Sequence, residues 1–130
     1  MDRSQMDSWV EELRLAWEQA DPARAGPLFT IDARYHAHPF HPPLIGRAAI
    51  VAYWSKATST QSDVRVRMGK PLLDGDRAVV EWWTVMIDGD AETTDTGALV
   101  LEFADERCTN LREYWNLTEG RLAPPERWGQ

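Results

Sequence analysis

The chain has 130 residues, 43% hydrophobic and 27% charged, with a net charge of −7. That length predicts one domain, residues 1–130, with a core large enough to stand without staples. The acidic balance argues against nucleic acid as a partner, and no apolar run is long enough to make a membrane one.

The N-terminal stretch MDRSQMDSWVEELRLAW is charged and lacks a signal-peptide core, so the expected location is cytoplasmic. Trp9, Leu13, Ala16, Trp17 and Ala20 share one helical face, Ser8 with Glu11 fits a capping box, and Pro22 is a stop. The predicted first helix is therefore 8–20. Asp21-Pro22 can cap a short second helix that Gly26-Pro27 ends. Ala33 to His38 reads as a strand running into the proline-rich break PFHPP. Gly46 then precedes a third helix, with Ile50, Tyr53, Trp54 and Ala57 on its buried face.

After Thr58 the period changes to alternation. Runs at 64–68, 79–87, 98–103 and 110–117 are separated by Asp74-Gly75-Asp76, Asp88-Gly89-Asp90 and Asp105-Glu106, which are hairpin signals. They predict a four-strand antiparallel meander. Helices gathered on one face of a curved sheet make an α+β layer. The single cysteine, Cys108, excludes an internal disulfide and reads as a small strand side chain. Residues 119–130 read as a C-terminal arm that Trp128 pins to the body or to a partner. Both sheet faces carry apolar residues, which predicts a homodimer through the outer face of the meander.

The segments LFTIDARYHAHPF, GRAAIVAYW and FADERCTNLREYW, with the amphipathic N-terminal helix, resemble the SnoaL-like group of the nuclear-transport-factor-2-like superfamily. The resemblance spans nearly the whole chain. It implies a cone-shaped curved antiparallel sheet, N-terminal helices packed on its concave face, a deep apolar pocket between them, and commonly a dimer. Ketosteroid isomerase, limonene epoxide hydrolase, scytalone dehydratase, polyketide cyclases and non-catalytic binding modules share this fold, so the fold does not choose a function. The base position of the isomerase falls on His38, before Pro39, or on Ala37. Its oxyanion-hole positions fall on Leu13 and Leu99, both apolar, which argues against that chemistry. The Arg-Asp-Asp arrangement of the epoxide hydrolases is not recognisable.

His36 and His38, two apart on a strand, are expected to share a face, and an imidazole with an ordinary pKa near ~6.5 suits a general base. With His41 the spacing is HxHxxH, but no acidic or thiol ligand is fixed nearby. No metal and no cofactor are expected, and His41 reads as a loop residue. Tyr35 is a candidate hydrogen-bond donor to a ligand oxygen, of opposite parity to Arg34. Glu81, on a central strand, is expected to meet Arg112 across the sheet, with Tyr114 on the same face as Arg112; the three are candidates to hold a polar ligand group, and Arg112, like Tyr35, is a candidate to polarise a ligand oxygen. Trp17, Trp54, Trp82 and Trp83, with Leu13 and Leu99, are the expected pocket wall; a buried tryptophan contributes about 150–250 Å². In the acidic stretch Asp88, Asp90, Glu92, Asp95, only Asp95 is placed to reach a pocket mouth. Two functions stay open. One is a small apolar organic ligand converted by cofactor-independent acid/base chemistry (isomerisation, cyclisation, dehydration or hydrolysis). The other is a non-catalytic binding or assembly module.

Overall fold

The computed structural model describes residues 1–130 and carries three helices: α1 (Arg3–Glu18), α2 (Pro22–Ala25) and α3 (Arg47–Thr58). Its strands are β1 (Phe29–His36), β2 (Leu44–Ile45), β3 (Gln61–Met68), β4 (Leu72–Asp74), β5 (Arg77–Asp88), β6 (Ala91–Ala104) and β7 (Arg107–Glu119). They form one curved sheet in the order β2-β1-β7-β6-β5-β3, with β4 added on β5. The architecture is α+β, with the helices on the concave face.

Three local features differ from the sequence reading. Helix α1 begins before Ser8, because Asp2 and Gln5, not Ser8 and Glu11, make the capping box. The Gln5 amide donates to the Asp2 carboxylate at 2.8 Å, and the Asp2 amide donates to the Gln5 side chain at 2.9 Å. The added turn buries Met6 completely. Strand β1 starts at Phe29, not Ala33, and ends at His36. Its pairing with β7 is parallel, so the sheet is mixed. The chain passes through α3 and the hairpins before β7 lies beside β1, which is the long crossover that parallel pairing requires.

Helix α1 lays Met6, Trp9, Val10, Leu13 and Ala16 on the sheet. At its start Trp9 meets Phe103 and Phe29 edge-on at 5.3 and 6.0 Å, and its indole donates to the Leu28 carbonyl at 2.9 Å. That end of the cone is filled. At the other end Trp17 stands 6.4 Å from both Trp54 and Trp82, ring centre to ring centre. Three large rings meeting at angles leave space between them. Glu18 fixes this end of the helix. The register of β3 shifts between Ser62 and Arg65, with Asp63 at φ +48°. The Val66 amide turns to the Glu18 carboxylate at 2.9 Å.

Gly97 allows Trp82 to reach the cavity. It sits opposite Trp82 on one side and Trp115 on the other. A Cβ at this position would fall on the Tyr114 carbonyl oxygen, 2.6 Å from the Trp82 ring and 2.8 Å from the Trp115 Cα. The missing side chain is the space the indole occupies.

Beyond Glu119 the chain folds back over the outer face. The Trp83 indole donates to the Leu122 carbonyl at 2.8 Å, Trp128 meets Trp83 edge-on at 6.0 Å, and the Arg67 guanidinium lies 5.4 Å from the Trp128 ring. The Lys70 amide donates to the Gly129 carbonyl at 2.7 Å. Trp128 therefore pins the arm to its own body. No helix is long and apolar enough to cross a membrane.

Candidate functional site

The space left by the tryptophans is a cavity of about 90 Å³, open at one side. Five aromatic rings wall it: Trp17 from α1, Tyr53 and Trp54 from α3, Tyr35 from β1 and Trp82 from β5. Two carboxyl groups enter it from the sheet, Asp95 of β6 and Glu113 of β7. Strand parity explains both. Asp95 is paired with inward-facing Thr84, and Glu113 lies two residues beyond buried Leu111, opposite buried Leu99. Gln61 at the start of β3 completes the polar lining, its side-chain oxygen accepting the Trp17 indole N–H at 2.9 Å. No lysine, arginine or histidine lines the cavity, and neither carboxylate belongs to any of the protein's ion pairs.

Tyr35 is 2% exposed and its hydroxyl donates to Glu113 Oε1 in a short hydrogen bond. The Trp54 indole N–H, also buried, has no hydrogen-bond partner. Asp95 Oδ1 and Trp82 Nε1, both shut from solvent, also have no partner. Unpaired buried polar atoms are unusual, and a water or a ligand's polar atom in the cavity would answer these.

Burial governs the proton affinities here. It pushes the Asp95 carboxyl up to about 7. It pushes Glu113 up to about 8, against the Tyr35 hydrogen bond and with help from the charge of Asp95. Burial, then the charges of Glu113 and Asp95, lift Tyr53 to about 12. Tyr35 is driven well above its ordinary value by burial and then by Glu113. Both acids keep some exposed surface because the cavity is open, while their carboxyl oxygens lie among rings. Around neutral pH the pair therefore holds one proton more readily than none, as expected for two carboxyls without a cation.

A stability consequence follows. Between their ordinary values and about 7 to 8, the native state binds protons that the unfolded state has released. Stability from this pair is thus complete at low pH and is lost as pH rises through that window. Asp95→Asn is expected to raise the melting temperature at pH 8 by about 3–8 °C, from roughly 1–2 kcal/mol after discounting for the open cavity, and to change little at pH 5. Thermal melts at the two pH values check this.

The residues singled out from sequence fall into three places. Tyr35, Trp17, Trp54 and Trp82 line the cavity. Leu13 and Leu99, 3% and 4% exposed, belong to the filled core rather than to the lining. The others lie outside. His36 is on the outer face, its ring 3.2 Å from the Asn110 side chain, because β1 turns Tyr35 inward and its neighbours outward. Arg112, on that same face, pairs with Glu102 at 3.3 Å and not with Glu81, which is exposed. Trp83 is under the arm, and Tyr114 is 48% exposed on the outer face. His38 lies past the end of β1. Pro39 breaks the strand, and His38 stacks on His41 at 4.2 Å and meets Trp115 edge-on at 6.2 Å. The expected union of His38 with the pocket aromatics is therefore absent, and the three histidines do not converge. Glu113 and Tyr53 line the cavity and were not selected from the sequence. Their signal was parity: Glu113 alternates with Leu111 on the buried face of an apolar strand. Cys108 is fully buried and its thiol is pushed up to about 12, chiefly by burial, which makes it inert.

Known structures share the whole architecture. One is a hypothetical protein with a ketosteroid isomerase-like fold from Catenulispora acidiphila, solved in complex with trimethylamine. It is 23% identical, with 82% of this chain and 83% of that chain covered and a TM-score of 0.74. An epoxide hydrolase of the LEH-like type from M. tuberculosis is 18% identical over 88% and 84% of the two chains, with a TM-score of 0.74. SalBIII, an epoxide hydrolase/cyclase-like enzyme of pyran ring formation in salinomycin, is 16% identical over 92% and 98%, with a TM-score of 0.79. At these identities the likeness is one of fold. No curated protein matches the sequence. The SnoaL-like domain model matches residues 10–111. That match, over most of the chain, shows that the chain belongs to the SnoaL-like domain family.

Proposed function

We propose that the protein is a cytoplasmic, cofactor-independent acid/base enzyme acting on a small, largely apolar molecule that carries an oxygen function. The observation that carries this reading is the pair Asp95 and Glu113, two carboxyls shut into an aromatic cavity without a cation and both with raised proton affinities. Two carboxyls that share a cavity and hold one proton between them divide into base and acid. Asp95, with Oδ1 unpaired, is the base. Glu113 is the acid, oriented by Tyr35. His38 and His36 have no part in this assignment.

The reaction that uses such a pair most directly is opening of an epoxide by water or by a hydroxyl of the substrate. Asp95 takes the proton of the attacking O–H as the new C–O bond forms. Glu113 gives its proton to the oxygen whose bond to carbon breaks. Transfer of the proton from Asp95 back to Glu113 restores the site. The epoxide hydrolase and cyclase names among proteins of this fold support the choice of substrates to try. The test is diol or cyclic ether formation from a panel of small terminal epoxides, with Asp95→Asn and Glu113→Gln as controls. Turnover that both variants retain would overturn the assignment. Ligand binding without turnover across the panel would favour the second reading, a non-catalytic binding module.

Assembly belongs to the same proposal. The arm takes the Trp83 side of the outer face, leaving exposed Tyr114 with half-buried Ala98 and Val100 beside Arg112 and Glu102. A second copy through that remaining area is expected. Sedimentation at micromolar concentration should give a dimer, and Tyr114→Glu should shift it to monomer by placing a charge in the contact.

A further inference from the structure

We infer that the cavity is a binding site for a small organic cation, a methylated ammonium group, and that it prefers such a group to a neutral one of the same shape. The inference rests on the cavity being the ligand site, and not on catalysis.

The walls are the first argument. Ring faces carry negative potential, and a cation surrounded by several of them is held most strongly where water is excluded. Trp17, Trp54, Trp82, Tyr35 and Tyr53 enclose the space, with Trp17 6.4 Å from each of the other two indoles and Tyr35 5.5 Å from Tyr53. Trp54 and Trp82 are buried, at 6% and 3% exposure. They were expected from sequence to be a pocket wall for an apolar ligand, which accounts for their area but not for what stands among them.

Charge is the second argument. Two carboxyls enter the box and no cationic side chain answers them, although the chain has 14 lysines and arginines to draw on. A buried carboxylate needs a partner or must stay protonated. Burial accordingly raises the proton affinity of both carboxyls. An incoming ammonium supplies the missing partner, and Asp95 Oδ1, which has no hydrogen bond, is the oxygen it would lie against.

Size and hydrogen-bonding character narrow the class. A cavity of about 150 Å³ holds benzene, so about 90 Å³ holds a group of about four heavy atoms. A primary ammonium would need acceptors for three N–H bonds. The free acceptors of the lining, the Asp95 oxygens and the second Glu113 oxygen, all enter from the sheet, while the α1 and α3 sides of the space present chiefly rings. A methylated ammonium needs none and presents its charge through carbon to the rings.

The probes are choline and its neutral carbon isostere, in which a tert-butyl group replaces the trimethylammonium. Binding is followed by tryptophan quenching and calorimetry. At about pH 8, choline should bind at least tenfold more tightly than the isostere. The groups facing Asp95 are Glu113 from β7, Tyr53 from α3 and Tyr35 from β1, none of them cationic. Choline affinity should therefore fall roughly tenfold between about pH 8 and pH 6 as Asp95 takes up its proton, while the isostere changes little. Calorimetry in buffers of different ionisation enthalpy should show proton release with choline only. Asp95→Asn should remove most of the preference and keep isostere binding, which also reports that the variant is folded. If the isostere binds as well as choline, the cation inference falls and the pocket reading stands. If neither binds, the cation inference falls too. Epoxide turnover is measured separately, so its absence beside tight choline binding would remove the enzymatic reading alone.

Discussion

Asp95→Asn is expected to lower kcat/KM for epoxide opening by about a hundred- to ten-thousand-fold, the range that a positioned general base contributes. The amide keeps the shape of the carboxyl and cannot accept the proton. The parent profile should be bell-shaped and narrow, with limbs near about 7 and about 8, because the base must be ionised while the acid keeps its proton. These limbs belong to the coupled pair. Residual activity of Asp95→Asn should lose the acid limb. Glu113→Gln should lose the alkaline limb, with a rate loss of similar size. Tyr35→Phe removes the donor to Glu113 Oε1 and leaves the ring in place. Without that bond Glu113 holds its proton to higher pH, so the alkaline limb should move upward. A rate loss with both limbs intact in all three variants would show that the pair does not titrate in the reaction.

Much of the fold was legible because burial repeats with the period of the backbone. Trp9, Leu13 and Ala16 give the face of α1, and the Asp-Gly turns give the hairpins. The parallel β1–β7 pair was not legible, since partner choice between distant strands leaves no local periodic mark. The capping box was misplaced for a related reason. Ser8 with Glu11 and Asp2 with Gln5 have the same spacing, and only the buried position of Met6 decides between them.

The site was half legible. Aromatic residues facing the sheet can be counted from sequence, and Trp17, Trp54 and Trp82 were found that way, while Tyr35 was chosen for its hydroxyl. The carboxyls could not be ranked by composition. Asp95 sits in an acidic stretch whose other members are turn residues, and Glu113 looks like one more polar residue until its parity with Leu111 is followed. The histidines drew attention by chemistry alone. Where β1 ends, and so where His38 points, depends on the break at Pro39 and the stacking of His41. Loop geometry of that kind is tertiary.

Gly97→Val should be the most destabilising single change in the sheet, by about 3 kcal/mol or more, lowering the melting temperature by roughly 10 °C or beyond. The added carbon meets the Tyr114 carbonyl and Trp115 Cα, which are backbone, and the Trp82 ring, which is hemmed in by Trp17. Neither backbone atom can yield without opening the β6–β7 ladder. Ala98→Val, one residue on with its side chain on the outer face, is the control for β-branching in this strand and should cost little. Alanine at position 97 should already be costly, because its Cβ makes the same contacts. Since Trp82 is the ring displaced, the loss should be accompanied by a red shift of tryptophan emission and by weaker choline binding in whatever fraction stays folded. A Gly97→Val protein as stable as the parent would mean that β6 and β7 are not closed over this position, and the cavity built on that closure would have to be redrawn.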